Sequence, residues 1–247
     1  MDTAFIIGNG ESRNIFPIEN LKGKGVIYGC NAIYRDHPML CDHIVAVNPP
    51  MYEELAAWHN NGKESPKIHG LDDISDWNYI CDGDNINDVP TGLKIYRMWR
   101  GGDIKKGGKI KTNDFSVAKG SGCSAVLLAA ESGIENIVIM AFDIMGAQQW
   151  EMETPSRIQN NIYKNSINYP GRESMKAYLK YEWMYQLRQI IRRFPKTNFH
   201  FINRKEYLDA NPFLRWYFDQ PNIKCGIYAD LQRWITGYRD DIKWKKL

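Results

Sequence analysis

Ala4-Phe-Ile-Ile-Gly-Asn-Gly-Glu-Ser-Arg13 is the stretch on which the fold turns. The four consecutive apolar residues Ala4 to Ile7 fit a short strand buried on both faces, not a half-exposed one that would alternate with polar residues. Gly8, Asn9, Gly10 and Ser12 follow as a turn, either one whose backbone a ligand approaches closely or simply a tight exit from the strand. A second segment has the complementary form. Gly120-Ser-Gly-Cys-Ser124 reads as a small-residue turn, Ala125 to Ala130 as a helix that packs on a sheet, and Asn136 to Phe142 as a buried strand ending on the carboxylate Asp143. Together these are the parts of a doubly wound, mostly parallel α/β sheet with a ligand cleft at the carboxyl ends of its strands.

The rest of the chain extends that frame. Gly25 to Cys30 reads as a second parallel strand ending at Asn31, and Asp42 to Val47 as a third, ending at Asn48 before Pro49-Pro50. Met51 to Trp58 is an amphipathic helix. Glu173 to Arg193 is a long one, with Met175, Leu179, Trp183, Leu187 and Ile190 at three- and four-residue steps. Asn198 to Ile202 reads as the last core strand, which makes His200 structural. Residues 1–206 are thus expected to form the α/β domain, with 93–111 a flap and 146–170 a lid, and 207–247 an aromatic-rich C-terminal extension. Strands that each end on an asparagine offer donors and an acceptor to a nucleobase edge or ribose hydroxyls; ordinary turn chemistry, with the carboxamide bonding its own backbone, is the alternative.

These motifs resemble a known family, the bacterial sialyltransferases that open with Gly-Asn-Gly-Pro-Ser. The matching pieces are Ile7-Gly-Asn-Gly-Glu-Ser12, Tyr28-Gly-Cys-Asn-Ala32, Val47-Asn-Pro49 and Ser121-Gly122 through Asp143, in family order. The resemblance covers the first two thirds of the chain and continues weakly through Asn168-Tyr169. It implies a Rossmann-like, single-domain GT-A-like glycosyltransferase without a metal. The donor nucleotide is expected on Gly8, Asn9, Gly10, Ser12, Asn31 and Asn48, with the sugar near Ser121, Gly122 and Asp143. The resemblance also exposes two departures. The family's basic histidine falls where Asn168 stands, and an asparagine is no base near neutral pH. The family's phosphate-gripping tyrosines are not matched after Asp143.

Charge and composition exclude several classes. The five cysteines lack Cys-x-x-Cys spacing and no disulfide framework is expected, so the thiols read as reduced and cytoplasmic. The first strand does not read as a signal peptide, and no run approaches the roughly 18 apolar residues of a membrane span. A net charge of +3 identifies no polyanionic partner by itself. Local clustering does more: Arg97, Arg100, Lys105, Lys106 and Lys109 surround Trp99 and two glycine pairs. That stretch reads as a cationic clamp on nucleotide or nucleic-acid phosphates, or as a solvated hairpin. The acidic turn Asp82 to Asp88 lacks the terminal glutamate of a calcium loop, and no metal or resident cofactor is expected.

Glycosyl transfer needs a base beside the acceptor and help for the departing phosphate. Asp143 is the first candidate base and Asp114 the second, with Asn168 at the place of the missing histidine. The expectation is an inverting glycosyltransferase that takes a nucleotide sugar and acts on a hydroxymethylated pyrimidine in DNA. A glycan acceptor, a pterin pyrophosphokinase-like enzyme and a non-catalytic nucleotide-binding module are the alternatives.

Overall fold

The computed structural model describes residues 2–46, 49–61, 94–97, 120–144, 161–169, 177–210, 214 and 218–238. Its elements in chain order are β1 (Thr3–Ile7), two 3-10 turns (Glu11–Ile15 and Ile18–Leu21), β2 (Val26–Cys30), a third 3-10 turn (Asn31–Arg35), β3 (His43–Ala46), α1 (Pro49–Asn61) and β4 (Lys94–Arg97). Then come α2 (Ser121–Glu131), β5 (Asn136–Met140), α3 (Ala177–Arg193), β6 (Asn198–Asn203), α4 (Lys205–Ala210), β7 (Ile223–Ile227) and α5 (Tyr228–Ile235).

The strands form one sheet in the order β4-β3-β2-β1-β5-β6-β7, with every pairing parallel. The chain winds outward from β1 to β4, returns through α2 to β5 on the other flank of β1, and winds outward again. β1 and β5 are therefore the strands between which the direction of winding reverses, the place where connections leave to opposite faces and open a crevice.

The apolar runs are continuous because both faces of the sheet are covered. Ala4 and Ile6 of β1 point into a core with Ile137 and Ile139 of β5, α2, and Met184, Leu187, Ile190 and Ile191 of α3. Phe5 and Ile7 point the other way, with Val138, Met140, Met51 and Leu55 of α1, and Leu231 and Trp234 of α5. Period-two alternation is present in direction but absent in polarity.

Several boundaries differ from expectation. Within the stretch expected as an appended extension, β7 pairs with β6 from Phe199↔Ile223 to Asn203↔Ile227 and so belongs to the sheet, and Tyr228, Leu231, Trp234 and Ile235 of α5 are buried against it. β7 escapes notice in the sequence because Lys224 and Gly226 interrupt its run, and a lysine of this kind suits an edge strand. The segment expected as a flap begins with β4, an edge strand parallel to β3 that ends at Arg97; Arg100, Lys105, Lys106 and Lys109 lie outside the described residues. Asn48 and Asp114 lie outside them as well. Among the described residues no helix is long and apolar enough to cross a membrane, and four cysteines, Cys30, Cys41, Cys123 and Cys225, are free and buried.

Candidate functional site at the β1/β5 reversal

The glycine turn after β1 lies directly on the chain leaving β5. Gly8 donates its N–H to the Met140 carbonyl and Gly10 to that of Ala141, both at 2.9 Å. A Cβ on Gly8 would stand 2.3 Å from the Ala141 oxygen; one on Gly10 would stand 2.5 Å from Cγ of Asp143. The approach that demands glycine here is that of chain on chain. Ala141 itself adopts φ 57 and Asn31, just past β2, φ 52, so the ends of the two strands flanking β1 both turn through the left-handed region that non-glycine residues avoid.

Asp143 fastens this junction. Its side chain is wholly shielded from solvent. It accepts from the Ser12 backbone N–H at 2.7 Å, from Ser12 Oγ at 2.6 Å and from Nδ2 of Asn203, the last residue of β6, at 2.9 Å. Because Ser12 gives its one hydroxyl proton to Asp143, the Tyr228 hydroxyl donates to Ser12 Oγ at 2.9 Å, and in turn accepts the Ala141 N–H at 3.2 Å. Burial pushes the Tyr228 phenol above its ordinary value, which keeps it protonated for this role. Asp143, expected as the catalytic base, is thus a positioning residue that ties the ends of β1, β5 and β6 to the start of α5. An oxygen sealed in that way does not reach an acceptor hydroxyl.

Asn9 has a similar internal role. It is buried, donates from Nδ2 to the Cys30 carbonyl at 2.9 Å and accepts from Arg13 at 3.3 Å. The Tyr169 hydroxyl accepts from Asn9 Nδ2 at 3.5 Å, and burial pushes its pKa above the ordinary value. Asn31 also accepts from Ser121 Oγ at 2.7 Å, linking the end of β2 to the first residue of α2. Of the expected donor-binding residues that are described, Asn31 and Gly122 keep part of their surface open, whereas Gly8, Asn9, Gly10, Ser12 and Ser121 are buried. α2 opens on Gly120, which has no side chain to cap it, so the amide-rich, electropositive end of the helix lies beside Asn31 without a capping side chain. Gly122 is there because Phe142 fills the space a side chain needs, 2.7 Å from its ideal Cβ.

Residues 161–169, part of the expected lid, are docked against the body. Gly10 bridges to Asn161, and Ile162 donates to the Asn9 carbonyl at 3.0 Å. Arg13 and Arg35 lie over the Tyr163 ring, 5.4 and 5.7 Å from its centroid. Arg13 also bonds Asp36 at 2.8 Å and Tyr163 Oη at 3.0 Å, and Arg35 bonds Ser166 Oγ at 2.7 Å and the Ile167 carbonyl at 2.9 Å. Asn168, at φ 64, donates to Glu54 of α1 at 2.6 Å. Its carboxamide holds the loop, and it faces a carboxylate rather than a substrate.

Burial opposes ionisation of Glu54, but hydrogen bonds from Arg35, Tyr34 and Asn168 outweigh it and hold its pKa below the ordinary 4.5. A depressed folded pKa gives stability that is complete above the ordinary value and lost as pH falls through the folded one. Acidification therefore loosens this clamp. Urea unfolding of the wild type should lose more stability between neutral and strongly acid pH than that of Glu54→Gln; equal acid sensitivity of the two proteins would remove Glu54 from the clamp.

At the opposite end of the sheet, a cavity of about 230 Å³ is lined by Asn136, Asn198, His200, Asn222, Lys224 and Trp234. His200 is buried there, its pKa pushed down to about 4 by burial and by Lys224, in keeping with a structural residue. Among the described residues no three His, Cys, Asp or Glu side chains are grouped to hold a metal ion. No protein-family model, curated protein or solved structure matches this chain.

Sequence reasoning missed Asn203 and Tyr228, which complete the Asp143 network, and Arg13, Arg35 and Glu54, which hold the loop. Arg13 follows the glycine turn directly and carried a usable signal, a cation in the same short stretch as the asparagine it bonds. The others come from distant parts of the chain.

Proposed function

We propose that this chain is a glycosyltransferase that moves a sugar from a nucleotide-sugar donor to a hydroxyl, with a hydroxymethylated pyrimidine of DNA as the acceptor. The observation that supports it most is at the β1/β5 reversal, where the N-terminus of α2, with no side chain capping it, stands beside the partly exposed Asn31 and Gly122. Helix N-termini at such reversals receive phosphate and other anionic groups. In this reading the donor lies from Asn31 across Ser121 and Gly122, while Gly8, Asn9, Gly10, Ser12 and Asp143 shape the crevice without touching the donor. With Asp143 and Asn168 held in positioning roles, the base is assigned to Asp114. The acceptor assignment draws on the basic stretch Arg97 to Lys109, whose cations suit a phosphate backbone. A target hydroxyl on a base must leave the duplex stack to reach a crevice.

The test is mass spectrometry of nucleosides from hydroxymethylated DNA incubated with the protein and a panel of nucleotide sugars in the presence of chelator. A hexose or pentose mass on the modified nucleoside is the expected product. Donor turnover without a DNA product moves the acceptor to a glycan. Intact donors overturn the glycosyltransferase and leave the non-catalytic nucleotide-binding reading, which the internal use of Asp143 and Asn168 favours over the kinase-like one.

A further inference from the structure

The N-terminus of α2 is flanked on two sides by different chemistry. On one side Ser121 meets Asn31 at the end of β2. On the other, α3 brings Trp183 and Gln186 against Gly120: the ideal Cβ position of Gly120 is 3.1 Å from Trp183 Nε1 and 3.7 Å from Gln186 Oε1. Cys123 Sγ donates to the Trp183 carbonyl at 3.5 Å and fixes this turn of α3 on the first turn of α2.

Gln186 is the anomaly. It is 1 % exposed, it lies on a helix whose neighbouring inward positions are Met184, Leu187, Ile190 and Ile191, and neither its Nε2 nor its Oε1 has a hydrogen-bond partner. A buried carboxamide with both ends unmet is costly, and an apolar residue of the same volume fits a helix core better. An orphaned polar pair buried beside an amide-rich helix end is what a ligand-reading group looks like before the ligand arrives. The ligand group must accept from Nε2 and donate to Oε1 while accepting from the helix amides. The ionised diphosphate bridge of a nucleotide only accepts and a nucleobase edge meets part of this; a hydroxyl-rich sugar, with adjacent hydroxyls that both donate and accept, meets all of it.

We propose that Gln186 is a specificity-determining residue that reads the hydroxyls of the transferred sugar at the N-terminus of α2, with the nucleotide portion lying towards Asn31. This rests on the nucleotide-sugar reading above and deepens it. Gln186 contributes to sugar binding and nothing to nucleotide binding, and its unmet amide lowers the stability of the unliganded protein.

Calorimetric titration of the full chain with nucleotide sugars (UDP-, GDP- and CMP-linked) and with the parent nucleotides tests it, alongside melting curves of each unliganded protein. The wild type should bind one nucleotide sugar more tightly than its parent nucleotide, and Gln186→Met should lose about tenfold or more of that increment with affinity for the parent nucleotide unchanged. The unliganded Gln186→Met protein should melt higher than the wild type, which a purely structural glutamine would not allow. Gln186→Glu keeps the shape and the acceptor but loses the Nε2 donor, so it too should lose the increment if Gln186→Met does not fold. An increment that survives in either folded variant overturns the inference and leaves the nucleotide-sugar reading standing. A wild type that binds none of the panel overturns both.

Discussion

Gly8→Ala is expected to be among the most damaging single-methyl additions in the protein, lowering the unfolding free energy by roughly 3 kcal/mol. The new Cβ would lie 2.3 Å from the Ala141 carbonyl oxygen and 3.0 Å from its carbon, and both belong to backbone. Neither can rotate away. Relief requires parting β1 from β5 where Gly8 N–H bonds Met140 at 2.9 Å, at the centre of the sheet. Gly10→Ala meets the Asp143 carboxylate and the same carbonyl and should come close behind. Gly23→Ala is the comparison: its site is open and its cost is only the left-handed backbone at φ 75, about 1 kcal/mol. Urea denaturation of the three variants gives the order. A Gly8→Ala protein no weaker than Gly23→Ala would mean that the two turns do not lie against each other.

Asp143→Asn should destabilise by about 3 kcal/mol although it is nearly isosteric. The carboxylate faces only donors: the Ser12 amide, the Ser12 hydroxyl and the Asn203 carboxamide. Converting one oxygen to NH2 turns at least one of those contacts into donor against donor inside a sealed site, and also removes the negative charge 3.9 Å from Arg204. Denaturant unfolding measures the loss, and a double-mutant cycle with Ser12→Ala assigns it: a clamp predicts coupling of about 1–3 kcal/mol between the two positions. An unchanged unfolding midpoint, or strict additivity with Ser12→Ala, would show that Asp143 does not hold the turns together.

The site was legible only in outline. The two strand ends were readable, because a short apolar run that stops on Gly8-Asn9-Gly10 and a second that stops on Asp143 identify the carboxyl ends of two buried strands. The roles were not. Asp143 reads as a base, and Asn9 as a nucleotide ligand, because a polar residue at a strand end carries the same letter whether it faces a crevice or another loop. The difference lies in Asn203 and Tyr228, which sit 60 and 85 residues further along the chain from Asp143 and reach it only through the pairing of β5, β6 and β7. Gln186 shows the converse. In the sequence it is one polar residue on an amphipathic helix and would be drawn facing water; only the packing of α3 on α2 turns it inward beside Gly120.

The sequence by itself determined the doubly wound α/β class, the positions of β1, β2, β3, β5, β6 and the helices between them, and the reversal as the place to look. Hydrophobic periodicity and glycine turns are local, and the solvent imposes them on each segment separately. Tertiary structure alone decided that β7 and α5 complete the sheet rather than append to it. It also decided that the glycines admit a neighbouring strand's turn, that Asp143 and Asn168 are braces, and that residues 161–169 are pinned by Arg13, Arg35 and Glu54. Each of these is a hydrogen bond or a close contact between segments distant in the chain. Such partners are chosen by three-dimensional proximity, which no local pattern of residues records.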